Sequence, residues 1–451
     1  MSALTALRSD ALLRWQRLGW PTTHAEAWRN FSTKPLQALD PAAAPLPSPT
    51  PAAFIARAQT WPTPRAVFVD GRFDPTLSDL TDLVAAGATL GALASDDLAA
   101  PRVDALVPAD GALEALNAAY LTDGLALSIP PGVAAGVVHV VHLSFGAGTS
   151  HVRHLVHLGE GASLTLAHHH EGEDTSVSVG SGLAAAHADG LAPSPLARVA
   201  NIVLELDLAA GASIHLGKTV AESARAAHLE AVHARLAAGA TLHTFTLSLS
   251  GERVRTGITV TLAGPGASAS VDGLYLGTGQ ARLDHVTAIR HAAPDTTSSE
   301  TWAGVLDGRS EGGFQGLIQI DRDAVRASTR QLTRTLLLSD DALAHAKPEL
   351  HIDCDDVAAS HGASVGQLDP NERFYLASRG IPPELAQKML VQAFIKKAQA
   401  VAPAALRDGP LGFDRAIAQA LALDLGDDAA LLADLAAPTD ADAPKDDVHV
   451  A

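Results

Sequence analysis

One phrase recurs through the middle of the chain: "LGEGASLTL" from residue 158, "LAAGASIHL" from 208, "LAAGATLHTFTL" from 236 and "LAGPGASASV" from 262. Its aligned glycines, Gly161, Gly211, Gly239 and Gly266, lie 50, 28 and 27 residues apart. Such a period is too long for a hairpin and too short for a domain. It fits one coil of a solenoid, with one coil's signature lost in the first gap. Short Val, Leu, Thr, His and Ser runs punctuated by glycine make it a β-solenoid rather than a helical one. The composition agrees: 47% of residues are apolar but only 4% aromatic, so the core is built from Ala, Leu and Val in regular layers.

The regions on either side read differently. Leu4, Leu7, Ala11, Trp15 and Leu18 recur at helical spacing and stop at Gly19 and Pro21. Residues 40–64 begin as a Pro- and Ala-rich linker, and "RAVFVDGRF" at 65–73 alternates into a hairpin turn. After residue 366, Asp369, Pro370 and Glu372 have the form of a helix start, with Gly380 as its stop. An apolar stripe follows from Leu385 to Val401, and "FDRAIAQALALDL" suggests a third helix. We therefore divide the chain into an N-terminal helical and hairpin region (1–122), a solenoid (123–366), a C-terminal helical domain (367–430) and an acidic tail (431–451) with little to bury.

A formal charge of −18 repels phosphate backbones and anionic lipid, so neither nucleic acid nor a membrane surface is an expected partner. Arg8, Asp10, Arg14 and Arg17 interrupt any signal-like run, and no spanning apolar segment is present. The single cysteine excludes an intrachain disulfide and fits a reducing compartment. The expected location is the cytoplasm.

Several local patterns suggest chemistry. "ASIHLGKT" at 212–219 resembles a phosphate-binding loop, but its first glycine position is Ala212 and its residues alternate as a strand, so nucleotide hydrolysis by this chain is not expected. Histidines are plentiful: His139, His142, His151, His154, His157, His168, His169 and His170. His168 and His170 share a strand face and can ligate zinc; solvated solenoid faces are the plainer expectation. In "LHIDCDD", Leu350, Ile352 and Cys354 alternate onto one face, which makes Cys354 a small buried hydrophobe, and Asp355 and Asp356 a solvated turn. His361, before Gly362 at the end of the solenoid, either caps backbone or meets a partner.

"KPELHIDCDDVAASHGASVGQLDPNERFYLASRGI" at 347–381 closely resembles the C-terminal signature of the SufB/SufD family of iron–sulfur cluster assembly scaffolds. "GWPTTHAEAWRNF" (19–31), "VFVDGRFDPTLS" (67–78), "LNAAYLTDGLALSIPPGV" (116–133) and "LDHVTAIRHAAPDTTSSETWAGVLDG" (283–308) extend the resemblance over nearly the whole chain. Length, the N-terminal pattern and the scarcity of cysteine put it on the SufD side. The resemblance implies a right-handed parallel β-helix between N- and C-terminal helical regions. It also implies a non-catalytic subunit that pairs with SufB and binds the SufC ATPase through its C-terminal helices, where Phe374, Tyr375, Arg379, Met389 and Phe394 are the candidate contact residues. The histidine of the family's Cys-Ser-His-Gly pattern matches His361, a candidate cluster ligand at the SufB interface, and the pattern's cysteine position is Ala359. An iron–sulfur cluster usually takes four thiolates, with imidazole able to replace some, so a chain with one thiol can only share a transient cluster with SufB. ATP enters through SufC, and nothing in the sequence supports a flavin. The rival readings are a homodimeric SufB-like scaffold, disfavoured by the scarcity of cysteine, and a β-helix carbohydrate-active enzyme, disfavoured by the few aromatics and the absence of a secretion signal.

Overall fold

The computed structural model describes residues 3–46, 49–93, 103–172 and 196–402, together with Phe413 and Ile417. Two parallel sheets face each other along its length, of ten and nine strands among the described residues. Chain-consecutive strands alternate between the sheets, so each strand pairs with the one a full coil away. Thr241–Ser250 lies in register between Ser213–Ala221 and Ser268–Gly277, and Ala226–Leu236 between Arg198–Leu208 and Arg253–Leu262. This is the expected parallel β-solenoid. Because register is kept from coil to coil, alternate side chains stack in lanes, one set inward and the other outward. The inward lanes form the main apolar core, including Phe68, Leu166, Leu216, Leu242, Val254, Trp302 and Phe314.

The recurring glycines turn one corner of the coil. Gly161, Gly211, Gly239 and Gly266 have φ between +64 and +72, and each donates its N–H to a carbonyl of the next coil. A left-handed residue without Cβ lets these corners stack closely, with the Gly211 Cβ position 3.9 Å from Gly161. The 50-residue gap is not two coils. Ser163–Gly172 pairs directly with Ser213–Ala221, so the extra length belongs to a single coil and falls on residues 173–195, outside the described residues.

Helices cover the outer faces. Ala3–Leu18 and Ala112–Ala119 pack with Phe31 and Leu36 over Val199, Ala227 and Leu229 of the nine-stranded sheet. Ala52–Thr60 buries Phe54 and Ala58 against Val67, Val141 and Leu143 of the other sheet. After the solenoid, Asp369 caps the helix Pro370–Ser378 by accepting from the Asn371 N–H, and Gly380 follows at φ +80. The next helix, Pro383–Gln399, lays Val391, Ile395 and Ala398 on Phe245, Leu247, Leu274 and Val305. The third C-terminal helix and the acidic tail lie almost wholly outside the described residues; Phe413 packs 5.6 Å from the Phe245 ring. Among the described residues no helix is long and apolar enough to cross a membrane.

The two ends of the solenoid differ. The hairpin strand Arg65–Val69 joins the first coil in parallel and is closed off by antiparallel Arg72–Phe73, while antiparallel Thr89–Ala92 closes the other sheet. At the far end the last strands, Leu343–Ile352 and Val357–Gln367, each pair on one side only among the described residues.

Candidate functional site at the open end of the solenoid

His361 sits on the terminal strand Val357–Gln367, opposite Gln331 in the coil beneath, and is exposed. Gln331 in turn lies opposite Glu300. All three belong to one inward lane, of which Glu300 and Gln331 are fully buried. Gln331 donates from Nε2 to Glu300 Oε2 at 2.5 Å. Burial pushes the Glu300 carboxyl up to about 7, with nearby Asp272 acting in the same direction, and burial raises Asp272 itself to about 6. His361 is therefore not a surface residue in the ordinary sense. It is the next rung of an interior polar lane, exposed because no further coil covers it. An imidazole so placed offers a ring nitrogen to whatever closes the end.

Around it the edge is bare. The two terminal strands present unpaired backbone and the exposed apolar side chains Leu343, Ile352 and Val365. Cys354 is half-buried rather than buried: the strand ends at Ile352, and Cys354 packs from the following turn with Ala359 and Val357 against Ile318, Ile320, Ala324 and Ala327. Asp355 and Asp356 are exposed, and the Asp356 carbonyl accepts from the Arg326 N–H.

The five helical residues separate into two groups. Phe374 and Tyr375 are 74% and 53% exposed, and Arg379 lies over the Tyr375 ring at 4.9 Å. Met389 is buried with Leu376 and Ala386 between the two helices, and half-buried Phe394 packs with Val391 and Ile395 onto the solenoid. Met389 is thus taken up by the chain's own packing, while Phe394 keeps part of its surface open.

The histidines are also corrected. Both faces of their strands are covered, so His139, His142, His151, His154, His168, His169 and His170 are buried, and only His157 is partly open. On the outer side His169 stacks on Trp61 at 3.8 Å. On the inner side His142 Nε2 stands 2.8 Å from His168 Nε2 and 3.2 Å from His154 Nε2, and His170 stacks on His142 at 4.6 Å. Next to them Lys218, the lysine of the loop-like phrase, is fully buried on its strand with Nζ 2.5 Å from Glu230 Oε2. His228 lies between Glu222 and Glu230 at 3.5 and 3.6 Å. Nothing in the local sequence marked Lys218, His228, Glu230 or Glu300 as interior. Only the coil period could have done so: His142 and His170 stand 28 residues apart, one coil, and are paired across the sheet.

The fold is a parallel β-solenoid with an open edge, and residues 142–394 match the family model described as SUF system FeS cluster assembly, SufBD core domain. The chain belongs to that family. It is 28% identical to the iron–sulfur cluster assembly protein SufD of Escherichia coli over 353 residues, three quarters of each chain. It is 35% identical to SufD of Bacillus subtilis over 137 residues, 30% of this chain and 31% of that one. A SufBD family protein of Mycobacterium leprae is 34% identical over 175 residues, 37% of this chain and under half of that protein, 45%.

Proposed function

We propose that this chain is the SufD-type, non-catalytic subunit of an iron–sulfur cluster assembly complex, joined to SufB through the open end of its solenoid and to the SufC ATPase through its C-terminal helices. The observation that carries the reading is the uncapped terminus: two parallel edge strands with unpaired backbone, apolar Leu343, Ile352 and Val365, and His361 at the end of a buried lane. Unprotected edges are otherwise a liability for aggregation, and adding a partner's strands satisfies them. A cluster formed there draws sulfur ligands from SufB and an imidazole from His361. Exposed Phe374, Tyr375 and Arg379 supply a surface for SufC, and ATP acts only through that partner.

Co-expression with the SufB and SufC of the same organism, followed by affinity purification and mass determination, tests the assembly. A complex of all three is expected, losing SufC when Phe374 and Tyr375 are both replaced by Ser. His361→Ala is expected to keep the complex and lower cluster content at least several-fold. An unchanged cluster content would remove His361 as a ligand; a chain that pairs only with itself would favour a homodimeric scaffold.

A further inference from the structure

We propose that the solenoid interior holds a divalent transition-metal ion of the zinc or iron(II) class on His142, His168 and His170, at a site separate from the open end around His361. The three side chains come from adjacent coils and converge, each offering a ligand atom within 4.8 Å of the others. All three are essentially inaccessible to solvent. Metal–nitrogen bonds of about 2.0–2.1 Å place tetrahedral ligands about 3.3 Å apart, so His142 and His168 already stand near bonding separation and His170 completes the set by turning out of its stack on His142.

Hydrogen bonding alone does not satisfy these rings. Both ring nitrogens of His170 are buried without a hydrogen-bond partner. The Leu125 N–H donates to His154 Nδ1 at 3.2 Å, which places the His154 proton on Nε2, facing His142 Nε2. A single proton must then lie between His142 Nε2 and His168 Nε2. On His142 it meets the His154 N–H head on. On His168 it leaves a lone pair at Nδ1 facing the Glu230 carboxylate at 3.5 Å, long for a hydrogen bond and repulsive for a neutral ring. A cation between the two Nε2 atoms removes the conflict, because His168 then carries its proton on Nδ1 toward Glu230. That is the carboxylate–histidine–metal arrangement that fixes ring orientation and raises ligand basicity. His154, its Nε2 protonated, yields its contact with His142 to the ion, and the fourth position stays open to water.

The electrostatics favour the same occupant. His142, His168 and His170 are enclosed by one another and by the sheets, so no solvent competes for their lone pairs. Glu230 is the carboxylate nearest the cluster, with Oε1 3.5 Å from His168 Nδ1 and Oε2 paired to Lys218, and Glu222 stands behind it against His228. Neutral imidazoles beside carboxylates suit zinc and iron(II) rather than a soft thiolate-seeking metal.

Because the coils enclose the site, the ion must be loaded while the chain folds. The test is therefore expression of the untagged full chain, without SufB or SufC, in medium supplemented in turn with zinc, iron or cobalt, followed by exhaustive dialysis against EDTA and elemental analysis. About one ion per folded chain is expected, and the cobalt form should show the intense visible bands of a four-coordinate site. His170→Gln removes an unpartnered ring, and His142→Phe keeps its stack on Phe68 and His170. Each should lower retained metal more than tenfold, while His361→Ala retains it. A metal-free wild-type chain, equal retention in a folded His142→Phe variant, or loss in His361→Ala would each overturn the site. None of these outcomes bears on pairing with SufB, which the co-expression reads separately.

Discussion

The closed and open ends of the solenoid are built from the same coil, yet they end in opposite ways. At the closed end the chain turns antiparallel twice, and Phe68 seals the last inward lane by stacking on His142 and meeting Phe73 edge-on. At the open end the inward lane stops at exposed His361, with nothing above it among the described residues. A solenoid needs a terminator wherever it meets water, because its terminal strands carry unpaired backbone and a cross-section of core. One end supplies its own terminator; the other, among the described residues, does not.

The largest expected effect separates the ends directly. Phe68→Ala empties a fully buried site and should cost about 3–5 kcal/mol, whereas Val365→Ala at the open edge should cost the isolated chain under about 0.5 kcal/mol. Denaturant unfolding of both variants gives the two values. Comparable losses would mean that the open end is closed in solution by the chain itself or by a second copy.

The next effect lies within the lane. Glu300, raised by burial to about 7, binds its proton more tightly in the folded chain than in the unfolded one, where the carboxyl returns toward 4.5. Its contribution is fully present below that lower value and is lost as pH rises through 7. Glu300→Gln removes the penalty, so the variant should match the wild type in acid and exceed it by about 3 kcal/mol near pH 8. Unfolding measured at both pH values checks this. If SufB covers the lane and supplies a counter-charge, the difference should shrink in the complex, which makes the same substitution a probe of the open end.

How much of this was legible follows from the physics of each feature. The glycine corners and the cap at Asp369 declare themselves because a left-handed turn and an unsatisfied helix start each demand particular residues locally. The burial of the histidines did not, because a strand's alternation tells which residues share a face but not whether that face is covered. "HHH" at 168–170 places rings on both sides, and both sides turn out to be dry: Trp61 lies over His169, and the opposite sheet lies over His168 and His170. His361 was found by its neighbours in sequence, yet its place at the end of the Glu300–Gln331 lane depends on a register that only the assembled coils create. Met389 and Phe394 show the converse. An apolar stripe on a helix predicts a contact but not with what, and here Met389 meets the neighbouring helix while Phe394 meets the solenoid.

The smallest effect lies along the corner ladder, and it explains why the repeat fades toward the open end. The position held by Gly211, Gly239 and Gly266 passes to Asp295 and then Arg326, both at φ 59. Their side chains form a bidentate ion pair, Nε to Oδ1 at 2.5 Å and an Nη to Oδ2 at 2.6 Å. Gly239→Ala meets no atom within 4 Å, so its cost is conformational alone, about 1–2 kcal/mol. Asp295→Gly relieves the left-handed strain on one residue and gives up an exposed, solvent-screened ion pair, so the two changes nearly cancel. Thermal unfolding should show a lower midpoint for Gly239→Ala and almost none of that shift for Asp295→Gly. A large loss in the second variant would mean that the Asp295–Arg326 pair, rather than backbone stacking, holds the final corner in the shape on which the open strands depend.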